Sequence, residues 1–359
     1  MNSLLLAAWA IVLTGLIGGG TWLYLIGRDA AGTSEDERPR VSMSMNAYRS
    51  AEPLDPGAAA LDGQPIISDT ESAGSRPPDK PTGAARYAAV GMHPHPDPQL
   101  IEKSDLGPLP TIGKDGRHPW RVYARPFSGV DTRPRIAIVV TGLGVSTNAT
   151  TQAIDTLPGS VTLSFAPFAK KLTAWIDQSR AGGHEVLIDL PMEPKDYPAN
   201  DPGPHTLLAS VPIDQNIRQL EWILSRATGY VGVSTFMGSG LATKPRALTP
   251  ILTELKTRGL MLVDTRENPV GKATDLSREM GLTVVTGDIF IDREPASDTI
   301  DKSLRALEDR AKRDGAAIGI ARPYPVTIKR LAAWIDGLGA KGIALAPTSA
   351  LVAAEKPGK

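Results

Sequence analysis

Short apolar, β-branched runs alternate with amphipathic segments of helical period from Arg135 almost to the C-terminus, and this alternation restricts the fold most strongly. Strands separated by helices pair in parallel, because each helix carries the chain back across the sheet. The predicted strands are residues 136–140, 161–165, 185–190, 231–235, 260–264, 282–285, 317–321 and 343–346. Eight strands with this spacing favour an α/β fold of the (β/α) barrel type, and an open doubly wound sheet is the alternative.

Helices are predicted between these strands, and several of them end near a glycine. They cover residues 172–180, 213–226, 248–258, 297–313 and 327–338. In both architectures ligands bind at the carboxyl ends of parallel strands, so the residues that follow each strand are the candidate site residues. These are Thr141, Gly142, Asp189, Glu193, Phe236, Met237, Gly238, Ser239, Asp264, Arg266 and Arg322.

Two histidines belong to the region that is predicted to fold. His184 precedes its strand and is therefore assigned to the opposite, structural end of the sheet, whereas His205 lies in the long loop after Asp189. No pair of histidines can meet at the candidate site. A serine-hydrolase triad around Ser239 is therefore disfavoured, and His205 is the residue that would overturn this interpretation.

An apolar stretch without charged residues, from Leu4 to Ile26, precedes the folded region. As a helix rising ~1.5 Å per residue it is long enough to cross the hydrocarbon core of a bilayer. We predict an uncleaved transmembrane anchor over residues 1–27, and a cleaved signal peptide is the alternative. The predicted localisation is the inner membrane, single-pass, with the globular domain in the periplasm.

Residues 28–132 are predicted to form a disordered linker rich in Pro, Gly and Ala. Their apolar runs are short and patternless, so burial cannot offset the entropy of ordering. Large apolar groups return over residues 107–130, and this part is expected to pack as a strap on the following domain. The folded domain is predicted to span residues 133–355.

The composition excludes several classes of function. The chain has 39 basic and 39 acidic side chains, so no net field favours nucleic acid. It has no cysteine, which rules out disulfides, thiolate metal sites and a cysteine nucleophile. No P-loop or dinucleotide-binding fingerprint occurs in the folded region. The groups left for chemistry are hydroxyls, carboxylates and a few histidines.

Four stretches occur in an order typical of one family: RIAIVVTGLG from Arg135, GGHEVLIDLPMEP from Gly182, GYVGVSTFMGSG from Gly229 and AAIGIARPYPVTI from Ala316. On these motifs the chain resembles the divergent polysaccharide deacetylases, a branch of the NodB-like carbohydrate esterases, and more narrowly their alphaproteobacterial, membrane-anchored form. The resemblance covers about residues 133–352 and implies a distorted (β/α) barrel.

The resemblance also implies where a metal would bind. Active members carry an Asp-Asp pair after the first strand and two later histidines, which would hold a divalent cation and activate its water. In this sequence the corresponding positions are Thr141, Gly142, Phe236 and Arg322. Because these residues are poor zinc ligands, the resemblance implies a degenerated metal site and no cofactor. An ion pair between Arg322 and Asp264 is the expected replacement.

The first functional hypothesis is a membrane-tethered periplasmic protein that binds a cell-wall or envelope polysaccharide, or an envelope protein, without hydrolysis. Its candidate binding residues are Arg266, Arg322, Thr141, Ser239 and His205.

The alternative is an active, metal-dependent deacetylase of peptidoglycan or another N-acetylated polysaccharide. Its candidate catalytic residues are Asp189, Glu193 and Asp264, which would form an all-oxygen site for a divalent metal. A third hypothesis is a scaffold in cell-wall assembly that is recognised through its linker.

Overall fold

The computed structural model describes residues 91–267 and 271–352 of this chain. Its strands are β1 (Ile101–Ser104), β2 (Gly107–Pro110), β3 (Arg135–Leu143), β4 (Thr162–Phe165), β5 (Val186–Met192), β6 (Gly232–Met237), β7 (Met261–Asp264), β8 (Val284–Thr286), β9 (Ile289–Phe290), β10 (Ala316–Ala321) and β11 (Ala344–Leu345). Its α-helices are α1 (Pro119–Val122), α2 (Thr147–Thr156), α3 (Leu172–Ala181), α4 (Ile213–Ser225), α5 (Pro245–Thr257), α6 (Ala273–Glu279), α7 (Ser297–Asp314) and α8 (Pro325–Asp336).

The anchor expected over residues 4–26 and the linker up to residue 90 lie outside the described residues. Among the helices that are described, none combines the length and the apolar character needed to span a bilayer.

One parallel sheet organises the fold. Its strand order is β8-β7-β6-β5-β4-β3-β10-β9, and β11 pairs with the first two residues of β3. Strands β3 to β8 follow one another around the sheet in chain order, whereas a doubly wound sheet reverses its direction part-way. The parallel α/β prediction is therefore confirmed, and the strand order is that of a barrel rather than of a doubly wound sheet.

The two ends of this sheet are joined by the chain itself. Strands β8 and β9 stand at opposite ends of the order, yet only Gly287 and Asp288 separate them. Three peptide steps reach at most roughly 11 Å, so the sheet must curl until its edges nearly meet. The N–H of Gly287 donates to the carbonyl of Asp264 beside β8, and the N–H of Asp288 donates to the carbonyl of Ile318 beside β9, both at 2.8 Å.

Side chains of the strands alternate between an inner and an outer core. On β3, Ala137 and Val139 face the interior of the curled sheet, while Ile136 and Ile138 pack in the outer core with the helices. The inner core also contains Leu187, Val231, Met261, Val263, Val285, Ile318 and Ile320. Burial on both faces explains why the strands read as nearly continuous apolar runs in the sequence.

The segment before β3 covers the amino-terminal end of the sheet. Leu100 and Tyr123 are buried and join the inner core. The buried guanidinium of Arg180 at the end of α3 donates to the carbonyl of Tyr123 at 3.1 Å. Arg258, after α5, donates to the carbonyl of Pro110 at 3.1 Å. Arg180 also donates to the carbonyl of His93 at 2.6 Å. Because Leu100 is buried and the backbone of His93 is bound, the packed segment begins before the strap that is expected over residues 107–130.

Candidate functional site

An ion pair lies at the carboxyl-terminal ends of the strands, a region that we call the mouth. The Nη2 atom of Arg322, after β10, is 2.5 Å from Oε1 of Glu267, after β7. The other oxygen of Glu267 accepts the backbone N–H of Met237 at 2.8 Å. The Arg322 guanidinium also lies 5.1 Å from the ring centroid of Phe290. The pair thus connects the ends of β6, β7 and β10.

Strained backbone accompanies this pair. Met237 and Arg266 adopt left-handed conformations with φ of 59° and 51°. For residues with a Cβ this conformation costs roughly 1–2 kcal/mol each, and such strain concentrates at functional sites. The turn at Arg266 brings Glu267 back over the mouth and leaves the Arg266 side chain exposed. Local strain and the ion pair are therefore parts of one arrangement.

Two further groups position Arg322. Burial alone would lower the pKa of Arg322, but the charge of Glu267 and a hydrogen bond with Tyr324 raise it above its ordinary value. Asp292 accepts the backbone N–H of Arg322 at 2.9 Å and the hydroxyl of Thr327 at 2.8 Å. Burial raises the pKa of Asp292. The backbone and the side chain of Arg322 are thus held by different carboxylates.

The prediction of an ion pair between Arg322 and Asp264 is wrong, because Arg322 pairs with Glu267 instead. Side chains two residues apart in a strand share a face. Because Leu262 belongs to the outer core, the Asp264 side chain also lies on the outer face of β7. Its carboxylate accepts the Thr274 hydroxyl of α6 at 2.6 Å. It also accepts the backbone N–H of Arg266 at 3.1 Å.

Asp189 lies inside the curled sheet, below the mouth, and forms the centre of a buried polar cluster. Its Oδ1 accepts the hydroxyls of Ser164 at 2.5 Å and Ser234 at 2.9 Å. Its Oδ2 accepts the N–H of Gly142 at 2.8 Å. Burial raises the pKa of Asp189, and these hydrogen bonds oppose that shift. The carboxylate therefore joins β5 to β3, β4 and β6.

The remaining candidates hold loops in place. Oε2 of Glu193 accepts the N–H of Ala209 at 2.6 Å, which fixes the long loop after β5. Ser239 accepts the N–H of Lys195 at 3.0 Å and so fixes the start of the same loop.

His205 and Thr141 also lie apart from the ion pair. The imidazole of His205 stacks on Trp222 of α4 with 3.5 Å between ring centroids, so its described ring contact is with a helix. Thr141 is buried at the end of β3. These sequence-predicted residues therefore contact different partners and do not form one cluster. The mouth is organised by Arg322 and Glu267.

A sequence model of the divergent polysaccharide deacetylases matches residues 138–352. The chain belongs to this family. The match begins within β3 and ends after β11, so it covers the curled sheet and the helices around it. This confirms the resemblance seen in the sequence motifs.

Three relatives carry the same fold or sequence pattern. A crystal structure of the uncharacterized protein ATU2773 from Agrobacterium tumefaciens C58 is 36% identical, has a TM-score of 0.67, and covers 68% of this chain and 100% of its own. An uncharacterized protein of Haemophilus influenzae is 25% identical over 205 residues, 57% of this chain and 72% of that protein. The uncharacterized protein YibQ of Escherichia coli is 23% identical over 197 residues, 55% of this chain and 61% of that protein.

In this divergent polysaccharide deacetylase domain, the positions that the sequence resemblance assigns to a metal carry Thr141, Gly142, Phe236 and Arg322. Gly142 offers no side-chain donor, Phe236 is apolar, and the guanidinium of Arg322 repels a cation. Among the described residues, no three or more His, Asp and Glu side chains are grouped as metal ligands. These four residues therefore do not supply the carboxylate and imidazole donors that the resemblance implies for active members.

Three residues of this site are not found by looking directly after the strands. Glu267 lies three residues beyond β7, and its only signal is its place next to Arg266. Asp292 follows β9, a strand of two residues without a detectable period. Tyr324 lies in the family stretch ARPYP, in which Arg322 is the candidate site residue because it directly follows the strand.

His184 is buried at the amino-terminal end of β5, and its Nδ1 lies 2.8 Å from the Val161 carbonyl. Burial lowers its pKa to about 4. A histidine with a lowered pKa contributes stability above its ordinary pKa and loses it as the pH falls toward the folded value. At pH 5 the loss relative to pH 8 is about 2 kcal/mol. Urea unfolding of the wild type and of His184→Gln across this range should show their stability difference shrinking by this amount. A constant difference would contradict the assignment.

Proposed function

We propose that this chain is a membrane-tethered periplasmic protein whose deacetylase-like domain binds an N-acetylated polysaccharide of the cell envelope without hydrolysing it. The observation that carries the proposal is the ion pair between Arg322 and Glu267. Arg322 stands where active family members have a metal-binding histidine. A guanidinium is charged at every physiological pH, so this position repels a cation and retains a fixed hydrogen-bond donor.

The chemistry of the mouth supports a binding role. Phe290 and Tyr324 are half-buried there and add aromatic surface of the kind that lines ligand sites. The ring of Phe290 lies against the guanidiniums of Arg322 and Arg293, so it holds these cations at the mouth. The exposed guanidinium of Arg266 supplies donors for hydroxyl and acetamido oxygens. Asp189 is not a free general base, because its two oxygens already accept three hydrogen bonds. Binding groups are thus present where the groups for metal-assisted hydrolysis are replaced.

The tether is the second part of the proposal, and the apolar stretch of residues 4–26 supports it. We expect the chain to sediment with inner membranes and to be digested by protease added to spheroplasts. A chain that remains soluble after cell breakage, or that resists protease until the inner membrane is lysed, would refute the tether or its orientation.

The test of function uses the full-length protein with N-acetylated chitooligosaccharides and peptidoglycan fragments. Calorimetry should show saturable binding, and assays with added zinc, nickel, manganese or magnesium should release no acetate. Arg266→Gln should weaken binding several-fold, because an exposed charged donor at the mouth is lost. The matched control is Arg313→Gln at the exposed end of α7, which should bind like the wild type.

Two results would overturn the proposal. Acetate release together with stoichiometric metal after dialysis would favour the active deacetylase. No binding to any of these glycans would favour a protein partner or a scaffold role instead.

A further inference from the structure

The ring of Phe290 at the mouth is in contact with two guanidiniums. The guanidinium carbon of Arg293 lies 5.2 Å from the ring centroid, and that of Arg322 lies 5.1 Å from the same centroid. Arg322 is paired with Glu267 and is only 25% exposed, whereas Arg293 is exposed. One aromatic ring therefore holds a paired guanidinium and an exposed guanidinium side by side at the mouth.

The backbone on both sides of Arg293 is held in place. The N–H of Ile291 donates to a carbonyl of β10 at 2.7 Å, and both Ile291 and Asp292 are buried. On the other side, the N–H of Ala296 donates to the carbonyl of Glu294 at 2.8 Å, directly before α7 begins. Arg293 thus belongs to a short, anchored connection. Little ordering of this connection remains to oppose the binding of a ligand.

The acids nearest to Arg293 at the mouth bind other groups. Asp292 accepts the backbone N–H of Arg322 at 2.9 Å, and Glu267 pairs with the Arg322 side chain. Glu294, the next residue along the chain, is exposed. Within residues 91–267 and 271–352, the Arg293 side chain forms no ion pair, and its contact is with an aromatic ring.

This arrangement suits a carboxylate better than a neutral oxygen. A guanidinium that stacks on a ring keeps the N–H groups along its edge for hydrogen bonds. That edge matches the two oxygens of a carboxylate, and such charge-assisted hydrogen bonds are roughly twice as strong as those to a neutral carbonyl. The exposed carboxylate of Glu294 opposes an acidic ligand, so the preference that Arg293 creates is moderate.

We propose that Arg293 makes the mouth selective for glycans whose sugars carry a carboxylate group. This inference rests on the proposed glycan-binding function and specifies the class of ligand. It also adds a specificity-determining residue that does not directly follow a predicted strand. A neutral N-acetylated glycan uses the other groups of the mouth and binds more weakly.

Two tetrasaccharides of equal length test the ligand class. One is chitotetraose, and the other alternates N-acetylglucosamine with N-acetylmuramic acid, whose lactyl ether carries a carboxylate. Calorimetry with the full-length chain in detergent micelles should show at least about fivefold tighter binding of the acidic tetrasaccharide, and added salt should reduce this difference. The methyl ester of the acidic tetrasaccharide keeps the lactyl group without its charge and should bind with the affinity of chitotetraose.

Substitutions at neighbouring positions should have opposite effects. Arg293→Gln should weaken binding of the acidic tetrasaccharide about fivefold and that of chitotetraose less than about twofold, because a charged hydrogen bond is lost. Glu294→Gln should strengthen binding of the acidic tetrasaccharide about twofold, because a like charge is removed. The matched control is Arg305→Gln, at an exposed arginine in the middle of α7, which should bind both ligands like the wild type.

The possible failures can be told apart. Equal affinity of the wild type for both tetrasaccharides and the ester would overturn the selectivity and leave the glycan-binding function intact. Equal losses of both ligands in Arg293→Gln would have the same meaning. A wild-type chain that binds neither tetrasaccharide would refute the proposed function, and this inference with it.

Discussion

Replacing Asp189 with alanine is expected to destabilise the folded domain by about 4 kcal/mol, because three buried donors lose their acceptor. These donors are the hydroxyls of Ser164 and Ser234 and the N–H of Gly142. The two hydroxyls lie 2.8 Å apart and can partly satisfy each other, which limits the loss. Asparagine should be much milder, since its oxygen can face Gly142 while its amide donates to the serines. Urea unfolding of the two variants measures the contrast.

The same position predicts a pH effect. Burial raises the pKa of Asp189 in the folded chain. A raised carboxyl pKa contributes stability below the ordinary aspartate value of about 3.9, and this contribution is lost as the pH rises above it. Relative to the wild type, Asp189→Asn should therefore be more stable at neutral pH than at low pH.

Asp309→Ala is the exposed control for the variants at Asp189, and it should change stability by less than about 0.5 kcal/mol. Equal destabilisation by alanine and asparagine would contradict the proposed hydrogen-bond exchange.

Replacing Arg322 with methionine is expected to cost about 3 kcal/mol, because Glu267 is left partly buried without its cationic partner. The Glu267 side chain is 17% exposed, so water compensates only in part. Adding Glu267→Gln should recover much of this loss, which gives a coupling energy of about 2 kcal/mol in a double-mutant cycle. Chemical unfolding of the wild type, both single variants and the double variant closes the cycle.

A solvent-exposed ion pair provides the matched control. Arg330 of α8 pairs with Asp301 of α7, and its side chain is 41% exposed. Arg330→Met should therefore cost less than about 1 kcal/mol. Strictly additive effects at Arg322 and Glu267 would show that the pair does not organise the mouth, and the main support for the binding proposal would be lost.

The strands of the sheet could be predicted because burial on both faces makes their sequences apolar. The expected run 185–190 corresponds to β5, and the expected run 317–321 lies within β10. Strand β9 was not predicted, since its two residues are too few to show a period. Strands β1 and β2 were also missed, because proline and charged residues dominate a hairpin that is held by side chains from distant helices.

The position of the site could be predicted from the sequence, but the residues that pair with Arg322 and Asp189 could not. Parallel strands place their carboxyl ends together, so Arg322 was found from topology alone. Its partner depends on the left-handed backbone at Arg266, which turns Glu267 toward the mouth and which no periodicity reports. Asp189 was recognised as a buried acid, yet its partners Ser164 and Ser234 lie on two other strands. Such contacts become visible only when the order of strands is known.

Strands β8 and β9 are the two edges of the curled sheet, and the line along which these edges meet is called the seam here. At the seam the edges are joined by the covalent link through Gly287 and Asp288 instead of by a row of interstrand hydrogen bonds. Exposed sheet edges invite pairing with foreign chains, and short edge strands usually need a protecting device. A Cβ on Gly287 would lie 2.7 Å from Cγ1 of Ile320, so the crossing peptide fits tightly against the opposite side of the seam. Because two residues connect them, neither β8 nor β9 can move away from the sheet without displacing the other strand. The seam therefore resists strand exchange between molecules, even though few residues form it.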